Sequence, residues 1–384
     1  MKILHLCLAC FYIDHYSYQE NMLPKYHKQL GYDVEIIASL VTFDEDGHLT
    51  NLKKGSKYVN EYGIPVTRLD YAFPGMLSRN ARRYVGTYDA INDSNPDLIF
   101  IHGCQFSDIT AVLKYVEINP KTIVLVDNHA DFSNSASNWL SKNVLHKIIW
   151  RHCAKSIEPY TTKFYGVLPA RVDFLADIYK LPRNKIELLL MGADDELVND
   201  AKQEHVRLSI REKHGIEKDD FLIITGGKID ENKTQTLLLM EAVKNIGREN
   251  VKLVIFGSVV PQLKPKITSQ LCHSVEYIGW IDSRETYKYF SSADLVIFPG
   301  LHSVFWEQVV GLGLPCIFKY IDGFTHVDLG GNCDFLYEDS VEEIQGKILA
   351  IIDNPIRYNE MKRVAETKGI QLFSYSSIAK KSLS

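Results

Sequence analysis

Short apolar runs rich in β-branched residues alternate along the chain with longer stretches in which apolar and polar positions follow a helical period. Runs of this length predict buried strands, and the stretches between them predict amphipathic helices. Because strands separated by helices run parallel, the pattern predicts a doubly wound α/β fold. In the first half the predicted strands are 3–9, 34–39, 65–69, 97–102, 122–126 and 164–168, and the predicted helices are 20–30, 80–92 and 107–117.

The same alternation starts again after a charged, less periodic stretch around 185–199. We therefore predict an N-terminal domain over 1–195 and a C-terminal domain over 196–368, both Rossmann-like and facing each other across a cleft. Residues 369–384 are amphipathic and predict a final helix that crosses back to the N-terminal domain. In the second half the predicted strands are 221–225, 251–256, 275–278, 293–298 and 316–318, and the predicted helices are 202–215 and 236–246.

Composition narrows the class of protein without naming a function. The 384 residues carry a net charge of −5, which argues against bulk nucleic-acid binding. No stretch approaches the roughly 20 apolar residues of a membrane span. The seven cysteines are scattered in mostly apolar runs, which fits a reducing cytoplasm. Cys7 and Cys10 form a lone C-x-x-C pair in the first predicted strand, and we interpret them as small buried side chains rather than metal ligands.

The segment from Phe298 to Phe318 predicts a strand, a small polar turn, a short helix and a second strand. Ser303 stands where a helix N-cap is expected. Backbone N–H groups at that end of the helix hold a phosphate well at the carboxyl edge of a parallel sheet. Glu307 falls in the first helical turn, where a carboxylate accepts hydrogen bonds from ribose hydroxyls. This combination predicts a nucleotide diphosphate as ligand.

Four stretches together carry a resemblance to a known family. They are GGKIDENK at 226–233, YIGWID at 277–282, VVGLGLP at 309–315 and VLVDNHAD at 124–131. With them the chain resembles the GT-B glycosyltransferases, most closely the retaining glycosyltransferase family four, over nearly its whole length. The resemblance implies transfer of a sugar, with retention of configuration, from a nucleotide-diphosphate donor to a glycan or lipid-linked acceptor in polysaccharide or glycoconjugate biosynthesis. It also implies that the reaction needs no metal and no cofactor. The donor substrate favoured is a UDP-sugar.

The resemblance also implies which residues form the donor site. Lys228 and Lys233 correspond to an arginine and a lysine that hold the donor diphosphate in the family, where fixed cations stabilise the leaving group as it gains charge. Glu307 is assigned to the ribose, and Gly300 falls where the family has the first glutamate of a pair. The predicted donor site comprises Gly227, Lys228, Lys233, Gly279, Trp280, His302, Ser303, Glu307 and Gln308.

In the N-terminal domain, His129 corresponds to the active-site histidine of the family, at the carboxyl end of a strand. An imidazole there hydrogen-bonds a sugar hydroxyl and helps to steer a proton. Asp127 or Asp131 is expected to orient it, and His129 and Asp131 form the catalytic prediction. Residues 11–16 stand where the family has a Gly-Gly turn. The predicted acceptor contacts are Tyr12, Asp14 and His15.

Other interpretations stay open at this stage. A nucleotide-sugar epimerase on the same fold would need additional carboxylates at the sugar. A degenerate subunit would bind the nucleotide-sugar without turnover, which fits the missing carboxylate at Gly300. A nicotinamide dehydrogenase is disfavoured because no G-x-G-x-x-G follows the first strand of either domain. Arg79, Arg82 and Arg83 predict a solvated helix face or, alternatively, a peripheral contact with anionic lipid at the inner face of the membrane.

Overall fold

The computed structural model describes residues 1–44, 49–73, 81–132, 135, 136 and 138–384. The chain divides into two compact units, of which the first is Met1–Leu190 with Ala379–Ser384 and the second is Met191–Ile378. The sequence places the boundary after residue 195, whereas the structure divides the chain after Leu190. Of the predicted last segment, 369–384, only Ala379–Ser384 belongs to the first unit.

Ten strands lie in the described part of the first unit. They are β1 (Lys2–Cys7), β2 (Asp33–Ala38), β3 (Val41–Phe43), β4 (Leu49–Asn51), β5 (Lys57–Val59), β6 (Pro65–Arg68), β7 (Leu98–His102), β8 (Ile123–Asn128), β9 (Thr161–Gly166) and β10 (Ile186–Leu188). Eight form one sheet in the order β10-β9-β8-β7-β1-β2-β6-β5, parallel except for β5–β6, and β3 pairs separately with β4. The order reverses between β1 and β7, where a doubly wound sheet binds its ligands at the carboxyl ends of the strands.

Helices connect these strands. They are α1 (Gln19–Gln29), α2 (Thr87–Ser94), α3 (Ile109–Ile118), α4 (Ser141–Trp150), α5 (Arg151–Ile157) and α6 (Pro169–Asp177). Helix α4 has wide, π-type hydrogen bonding and continues directly into α5. The predicted helix 80–92 is wrong at its start, because Tyr84 forms a bridge with Tyr71 and Gly86 takes a left-handed φ of 74° just before Thr87. Residue 80 lies outside the described residues.

The second unit contains a fully parallel sheet in the order β13-β12-β11-β14-β15-β16, formed by β11 (Phe221–Gly226), β12 (Val251–Phe256), β13 (Val275–Tyr277), β14 (Leu295–Phe298), β15 (Cys316–Lys319) and β16 (Cys333–Leu336). Its strand order reverses between β11 and β14. The helices after Leu190 are α7 (Asp195–Ala201), α8 (Glu204–Lys213), α9 (Gln235–Ile246), α10 (Lys264–Gln270), α11 (Ser283–Ser292), α12 (Phe305–Gly311), α13 (Val341–Ile352), α14 (Pro355–Val364), α15 (Ile370–Leu372) and α16 (Tyr375–Ser382).

The apolar runs that predict the strands form the core of each unit. Ile99 and Ile101 on β7 are fully buried in the first unit, and Ile223 on β11 and Leu295 on β14 are fully buried in the second. Each such side chain contributes about 1.5–3 kcal/mol through burial. Among the described residues, no helix combines the length and the apolar character needed to cross a membrane.

Candidate functional site

The candidate donor site lies in the second unit, where the neighbouring strands β11 and β14 end. A pocket opens there between the loop after β11 and the turn after β14. Four of the nine predicted donor residues line it: Gly227, Lys228, Lys233 and Ser303. The other lining residues are Thr225, Gly226, Ile229, Thr236, Ile255, Phe256, Phe298, Pro299, Gly300 and Leu301.

Two close approaches of the chain shape the glycine turn after β11. A Cβ atom on Gly257 would lie 2.0 Å from the carbonyl oxygen of Gly227, and one on Gly226 would lie 2.3 Å from the Phe256 ring. Gly257 also takes a φ of 127°, a conformation that other residues rarely adopt. Its N–H donates to the carbonyl oxygen of Gly279 at 2.7 Å. The turn and the segment 277–282, which contains the predicted donor residues Gly279 and Trp280, are therefore joined through Gly257.

The two predicted phosphate cations differ in exposure. The Lys228 side chain is 63% exposed, and its Nζ lies 3.5 Å from Oδ2 of Asp230. Burial lowers the pKa of Lys233, although Asp230 acts in the opposite direction. A phosphate in the pocket would replace the hydration that the Lys233 ammonium has lost, whereas Lys228 already has a carboxylate partner. Lys233 is therefore the stronger candidate for holding a diphosphate.

Helix α12 buries the carboxylate that the sequence assigns to ribose. Oε1 of Glu307 accepts hydrogen bonds from Nε2 of His302 and from Nε2 of His326, both at 2.8 Å. Burial favours the neutral acid, but the attraction and hydrogen bonds of the two histidines outweigh it and lower the pKa of Glu307 to about 2. Its Oε2 has no hydrogen-bond partner among the described residues. The sequence analysis missed His326, which comes from the turn before β16.

The remaining predicted donor residues lie in different settings. Oγ of Ser303 accepts a hydrogen bond from the N–H of Phe305 at 3.3 Å and so helps to begin α12. Gln308 is buried, and its Oε1 has no hydrogen-bond partner in the described part of the chain. Trp280 is 70% exposed. Contacts of Glu307, Gln308 or Trp280 with a nucleotide stay predictions, because none of the three lines the pocket.

The candidate catalytic histidine follows β8 in the first unit. Nε2 of His129 lies 3.4 Å from Oδ1 of Asp127 and 3.8 Å from Oε1 of Glu20. Burial favours the neutral imidazole, but these two carboxylates outweigh it and raise the pKa of His129. Oδ2 of Asp131 instead accepts a hydrogen bond from Nε of Arg171 at 2.9 Å. Asp127 is thus the aspartate beside His129, and the sequence predicts neither Glu20 nor Arg171 at this site.

A chain of buried side chains leads from Asp127 to the last residues of the polypeptide. Oδ2 of Asp127 lies 2.7 Å from Nδ1 of His102. Nδ1 of His5 lies 2.9 Å from Nε2 of His102, and Nε2 of His5 lies 3.0 Å from Nδ1 of His27. Nε2 of His27 then lies 2.9 Å from Oγ of Ser382. All five side chains are fully buried, and the sequence analysis missed His5, His27 and Ser382.

The carbonyl oxygen of Ala379 fixes the direction of this chain. It lies 3.2 Å from Nε2 of His27 and only accepts, so Nε2 carries the hydrogen and Nδ1 of His27 accepts from His5. Nδ1 of His5 must then accept, which leaves His102 donating from both ring nitrogens as an imidazolium. Burial opposes this charge, yet the attraction of Asp127 outweighs it and raises the pKa of His102 to about 9. Burial lowers the pKa of His27 to about 3, which matches its neutral form.

Among the described residues, two groups of side chains present three ligand atoms within 4.8 Å of one another, His102–Asp127–His129 and His302–Glu307–His326. In the first group both ring nitrogens of His102 carry hydrogen, so His102 has no lone pair for a metal. In the second group Nδ1 of His326 has no hydrogen-bond partner among the residues described, whereas a metal-bound imidazole normally donates its other N–H to an acceptor. In these hydrogen-bonded arrangements the residues do not fit a metal ion.

The predicted acceptor residues after β1 are engaged within the first unit. Tyr12 is fully buried, and its hydroxyl accepts a hydrogen bond from Nδ2 of Asn60 at 2.9 Å. Oδ2 of Asp14 lies 3.3 Å from Nη2 of Arg68, with which it forms an ion pair. Tyr12 therefore packs inside the unit, whereas the acceptor contact predicted for it requires an exposed side chain. His15 has a left-handed φ of 68°, and its acceptor contact stays a prediction.

The basic cluster predicted to meet lipid has other contacts. Nη1 of Arg82 donates to the carbonyl oxygen of Gln105 at 2.9 Å. The Arg83 side chain is 60% exposed, and its Nε lies 3.8 Å from Oδ1 of Asp108. Arg79 lies outside the described residues. Arg82 therefore has an internal role, and Arg83 alone is shown as an exposed cation at this place.

Two doubly wound units with ligand edges of this kind are found together in GT-B proteins, and solved GT-B structures match the whole chain. The HepE protein of Anabaena, solved in complex with UDP, matches 99% of this chain and 98% of its own with a TM-score of 0.69 and 15% identity. The UDP-GlcNAc 2-epimerase of Neisseria meningitidis, solved with UDP-GlcNAc, matches 100% of this chain and 99% of its own with a TM-score of 0.65 and 13% identity. The chain therefore has the GT-B fold.

Sequence comparison then identifies the family of the second unit. Residues 206–368 match the family described as glycosyl transferases group 1, so the second unit is a domain of that family. An uncharacterised glycosyltransferase of Methanocaldococcus jannaschii is 22% identical over 162 residues, which make up 40% of this chain. The match spans 41% of the length of that relative. This relative is named a glycosyltransferase, in agreement with the family that residues 206–368 match.

Proposed function

We propose that this chain is a glycosyltransferase that moves a sugar from a nucleotide-diphosphate donor, with a UDP-sugar favoured, to a glycan or lipid-linked acceptor in polysaccharide or glycoconjugate biosynthesis. The pocket between β11 and β14 carries the proposal, because Lys233 places a partly desolvated ammonium beside the glycine turn. A desolvated cation gains more from a diphosphate than an exposed one does. The group 1 domain and the UDP-bound HepE structure support the same ligand class.

In the proposed reaction the bond between the anomeric carbon and the phosphate oxygen breaks, and its electron pair stays on the nucleoside diphosphate. Lys233 and Lys228 stabilise this charge, which grows as the transition state forms. An acceptor hydroxyl forms the new bond to the anomeric carbon with retention of configuration, and its proton passes to the leaving phosphate without a metal. His129, beside Asp127 and Glu20, is assigned to hydrogen-bond a sugar hydroxyl.

The two units take different substrates in this proposal. The second unit binds the donor, and the first unit, which carries His129, binds the acceptor. The reaction takes place in the cytoplasm, with a peripheral contact between the first unit and the inner face of the membrane. A lipid-linked acceptor is consistent with such a contact, because its sugar lies at the bilayer surface.

Calorimetric titration with UDP, GDP, ADP and dTDP tests the donor site. We expect one preferred diphosphate and about a tenfold loss of affinity, close to 1.4 kcal/mol, in Lys233→Ala. Lys266→Ala, which removes an exposed lysine on α10 away from the pocket, serves as the matched control and should bind as the wild type does. If the folded protein binds none of the four diphosphates, the donor site is wrongly assigned.

Product analysis separates the transferase from its competitors. The preferred nucleotide-sugar is incubated with the protein alone and with candidate acceptors. A changed sugar without any acceptor would favour an epimerase, an activity carried by the Neisseria meningitidis protein on the same fold. Normal diphosphate binding without any turnover would favour a degenerate binding subunit. Transfer that depends on an acceptor supports the proposal.

A further inference from the structure

Helix α4 and its continuation α5 bury one side and expose the other. His146 and Trp150 on α4 are buried in the first unit. On the exposed side and just before it, Trp139 is 73% exposed, Leu140 60% and Ile148 62%. We define the apolar face by its five exposed large side chains, Trp139, Leu140, Leu145, Ile148 and Ile149.

The apolar face differs from other exposed apolar positions in being continuous along the chain. Ile356 on α14 is 84% exposed and Val59 on β5 is 64% exposed, but no other large exposed apolar side chain of the described residues lies within five residues of either in the sequence. Single exposed apolar side chains are ordinary on protein surfaces. A group of five within 11 residues, 139–149, is the kind of patch that marks an interaction site.

The charged residues of the sequence segment between Asp131 and Glu158 have one sign, and the carboxylates of Asp173 and Asp177 on the neighbouring helix α6 are paired with Arg183. Residues 132–157 contain no Asp or Glu and four basic residues, although the whole chain has a net charge of −5. Nε of Arg151 donates to a backbone carbonyl inside the unit, whereas Lys155 is exposed. Lys142 and Lys147 are partly exposed on α4 itself. Apolar side chains bordered by lysines, with a tryptophan at one end, are complementary to the boundary between anionic headgroups and acyl chains.

The buried side of α4 is tied to the strand that precedes the candidate catalytic histidine. The hydroxyl of Tyr179 donates to Nδ1 of His146 at 2.9 Å and accepts from Nε2 of Gln105 at 2.9 Å. The same Gln105 amide donates to Oδ1 of Asn128 at 2.8 Å. Burial lowers the pKa of His146 to about 4, which fits a neutral imidazole that accepts from Tyr179. The helix is thus fixed relative to the residue that precedes His129.

We infer that the apolar face, together with Lys142, Lys147 and Lys155, docks the first unit on an anionic lipid bilayer. The inference rests on the membrane contact in the proposed function and deepens it, because it moves that contact from the arginine cluster to α4. Docking there holds the unit that carries His129 at the surface where a lipid-linked acceptor presents its sugar. The bound surface is the bilayer itself, whether or not such an acceptor is present.

Vesicle sedimentation tests this docking on the full chain. Vesicles of phosphatidylcholine mixed with phosphatidylglycerol are compared with vesicles of phosphatidylcholine alone, and neither contains an acceptor. We expect the wild type to bind the anionic vesicles, and Trp139→Ser/Ile148→Ser to bind them at least about tenfold more weakly. Ile356→Ser removes an even more exposed apolar side chain from α14 and should bind as the wild type does.

Charge reversal and nucleotide titration complete the test. Lys142→Glu/Lys147→Glu should weaken binding to anionic vesicles, and Lys266→Glu on α10 should weaken it far less. UDP titration of each variant reports on the donor site independently. Retained UDP binding without vesicle binding by the wild type overturns the docking and the membrane contact, and leaves the donor site and the sugar transfer of the proposed function standing. Vesicle binding without UDP binding would instead support the docking and overturn the donor site. Vesicle binding unchanged in Trp139→Ser/Ile148→Ser, or a dimer in light scattering that this variant dissociates, also overturns the docking.

Discussion

Each unit contains a buried carboxylate near two histidines, but the two arrangements are built differently. In the first unit, Asp127 is paired with His102, and His129 lies 3.4 Å from its other oxygen. In the second unit, one oxygen of Glu307 accepts from both His302 and His326, and the other oxygen has no hydrogen-bond partner among the described residues.

The difference lies in what stands behind the histidines. His102 is the first of three hydrogen-bonded histidines, followed by His5 and His27. His27 donates to the backbone carbonyl of Ala379, and this acceptor determines which ring nitrogens in the chain carry hydrogen. His326 ends at a buried Nδ1 without a partner in the described part of the chain. His102 is therefore backed by a hydrogen-bonded chain of histidines, whereas the described residues show no such chain behind His302 and His326. The second oxygen of each carboxylate, Oδ1 of Asp127 and Oε2 of Glu307, is alike in having no hydrogen-bond partner among the described residues.

Asp127→Asn should produce the largest effect. The substitution keeps the shape of the side chain but leaves the buried His102 imidazolium without its counter-charge. Removing one partner of a buried ion pair destabilises a protein by about 3–5 kcal/mol. Urea unfolding at neutral pH measures the change in the free energy of unfolding. Asp353→Asn, which breaks an exposed ion pair with Arg248, is the control and should change it little. Equal stability of Asp127→Asn and the wild type would contradict the cationic chain.

Stability should respond to pH at opposite ends of the scale in the two units. The pKa of His102 is raised from 6.5 to about 9, so its stabilisation is complete below pH 6.5 and disappears as the pH rises through 9. At 1.36 kcal/mol per unit, the loss amounts to about 3 kcal/mol. The pKa of Glu307 is lowered from 4.5 to about 2, so its stabilisation is present above pH 4.5 and disappears as the pH falls through 2.

Urea unfolding across the alkaline range measures the first of these effects. His102→Asn is the matched control, because it removes the titrating group and should flatten the decline between pH 6.5 and 9. A decline of the same size in His102→Asn would assign the alkaline loss to other groups and break the comparison between the units.

Glu307→Gln should cost less than Asp127→Asn. The amide oxygen still accepts from His302 and His326, and the change removes the charge and introduces a buried N–H group. Hydrogen bonds to charged groups contribute about 1.5–3 kcal/mol, and part of that contribution remains. Urea unfolding should therefore show a loss of about 1–2 kcal/mol. A loss larger than that of Asp127→Asn would reverse the ranking of the two sites. UDP titration of the same variant tests the predicted ribose contact separately.

The sequence predicts the parts of the fold and site that depend on neighbouring residues. Apolar runs are enough to find the central strands. The resemblance of residues 226–233 to a family loop points to Gly227 and Lys233, which both line the pocket, and their contact with a donor stays a prediction. His5 offers no comparable signal. The sequence around a single histidine in a buried strand is the same whether its ring only packs against neighbours or also hydrogen-bonds to a histidine on each side. The members of its hydrogen-bonded chain come from elements far apart in the sequence, as the separation of 355 positions between His27 and Ser382 illustrates.

The same reason explains the misplaced contacts. Asp131 follows His129 closely in the sequence, but Arg171 on α6, 40 residues away, holds its carboxylate. Tyr12 occupies a loop position in the sequence but is buried by packing around Asn60, which lies beyond β5. Contacts that depend on such long-range packing cannot be derived from local pattern or from spacing.

Ser382→Ala should have the smallest effect and separates two functions of the chain end. Oγ of Ser382 accepts from His27 and donates to the carbonyl oxygen of Ala379, so its loss should cost about 1 kcal/mol in urea unfolding. The carbonyl of Ala379 still accepts from His27, so the direction of the chain and the charge on His102 should persist. The alkaline decline in stability should therefore keep its size and midpoint. If the decline vanishes in Ser382→Ala, the Ser382 hydroxyl and not the Ala379 carbonyl determines which ring nitrogens of the histidines carry hydrogen. The backbone carbonyl would then not distinguish the first unit from the second.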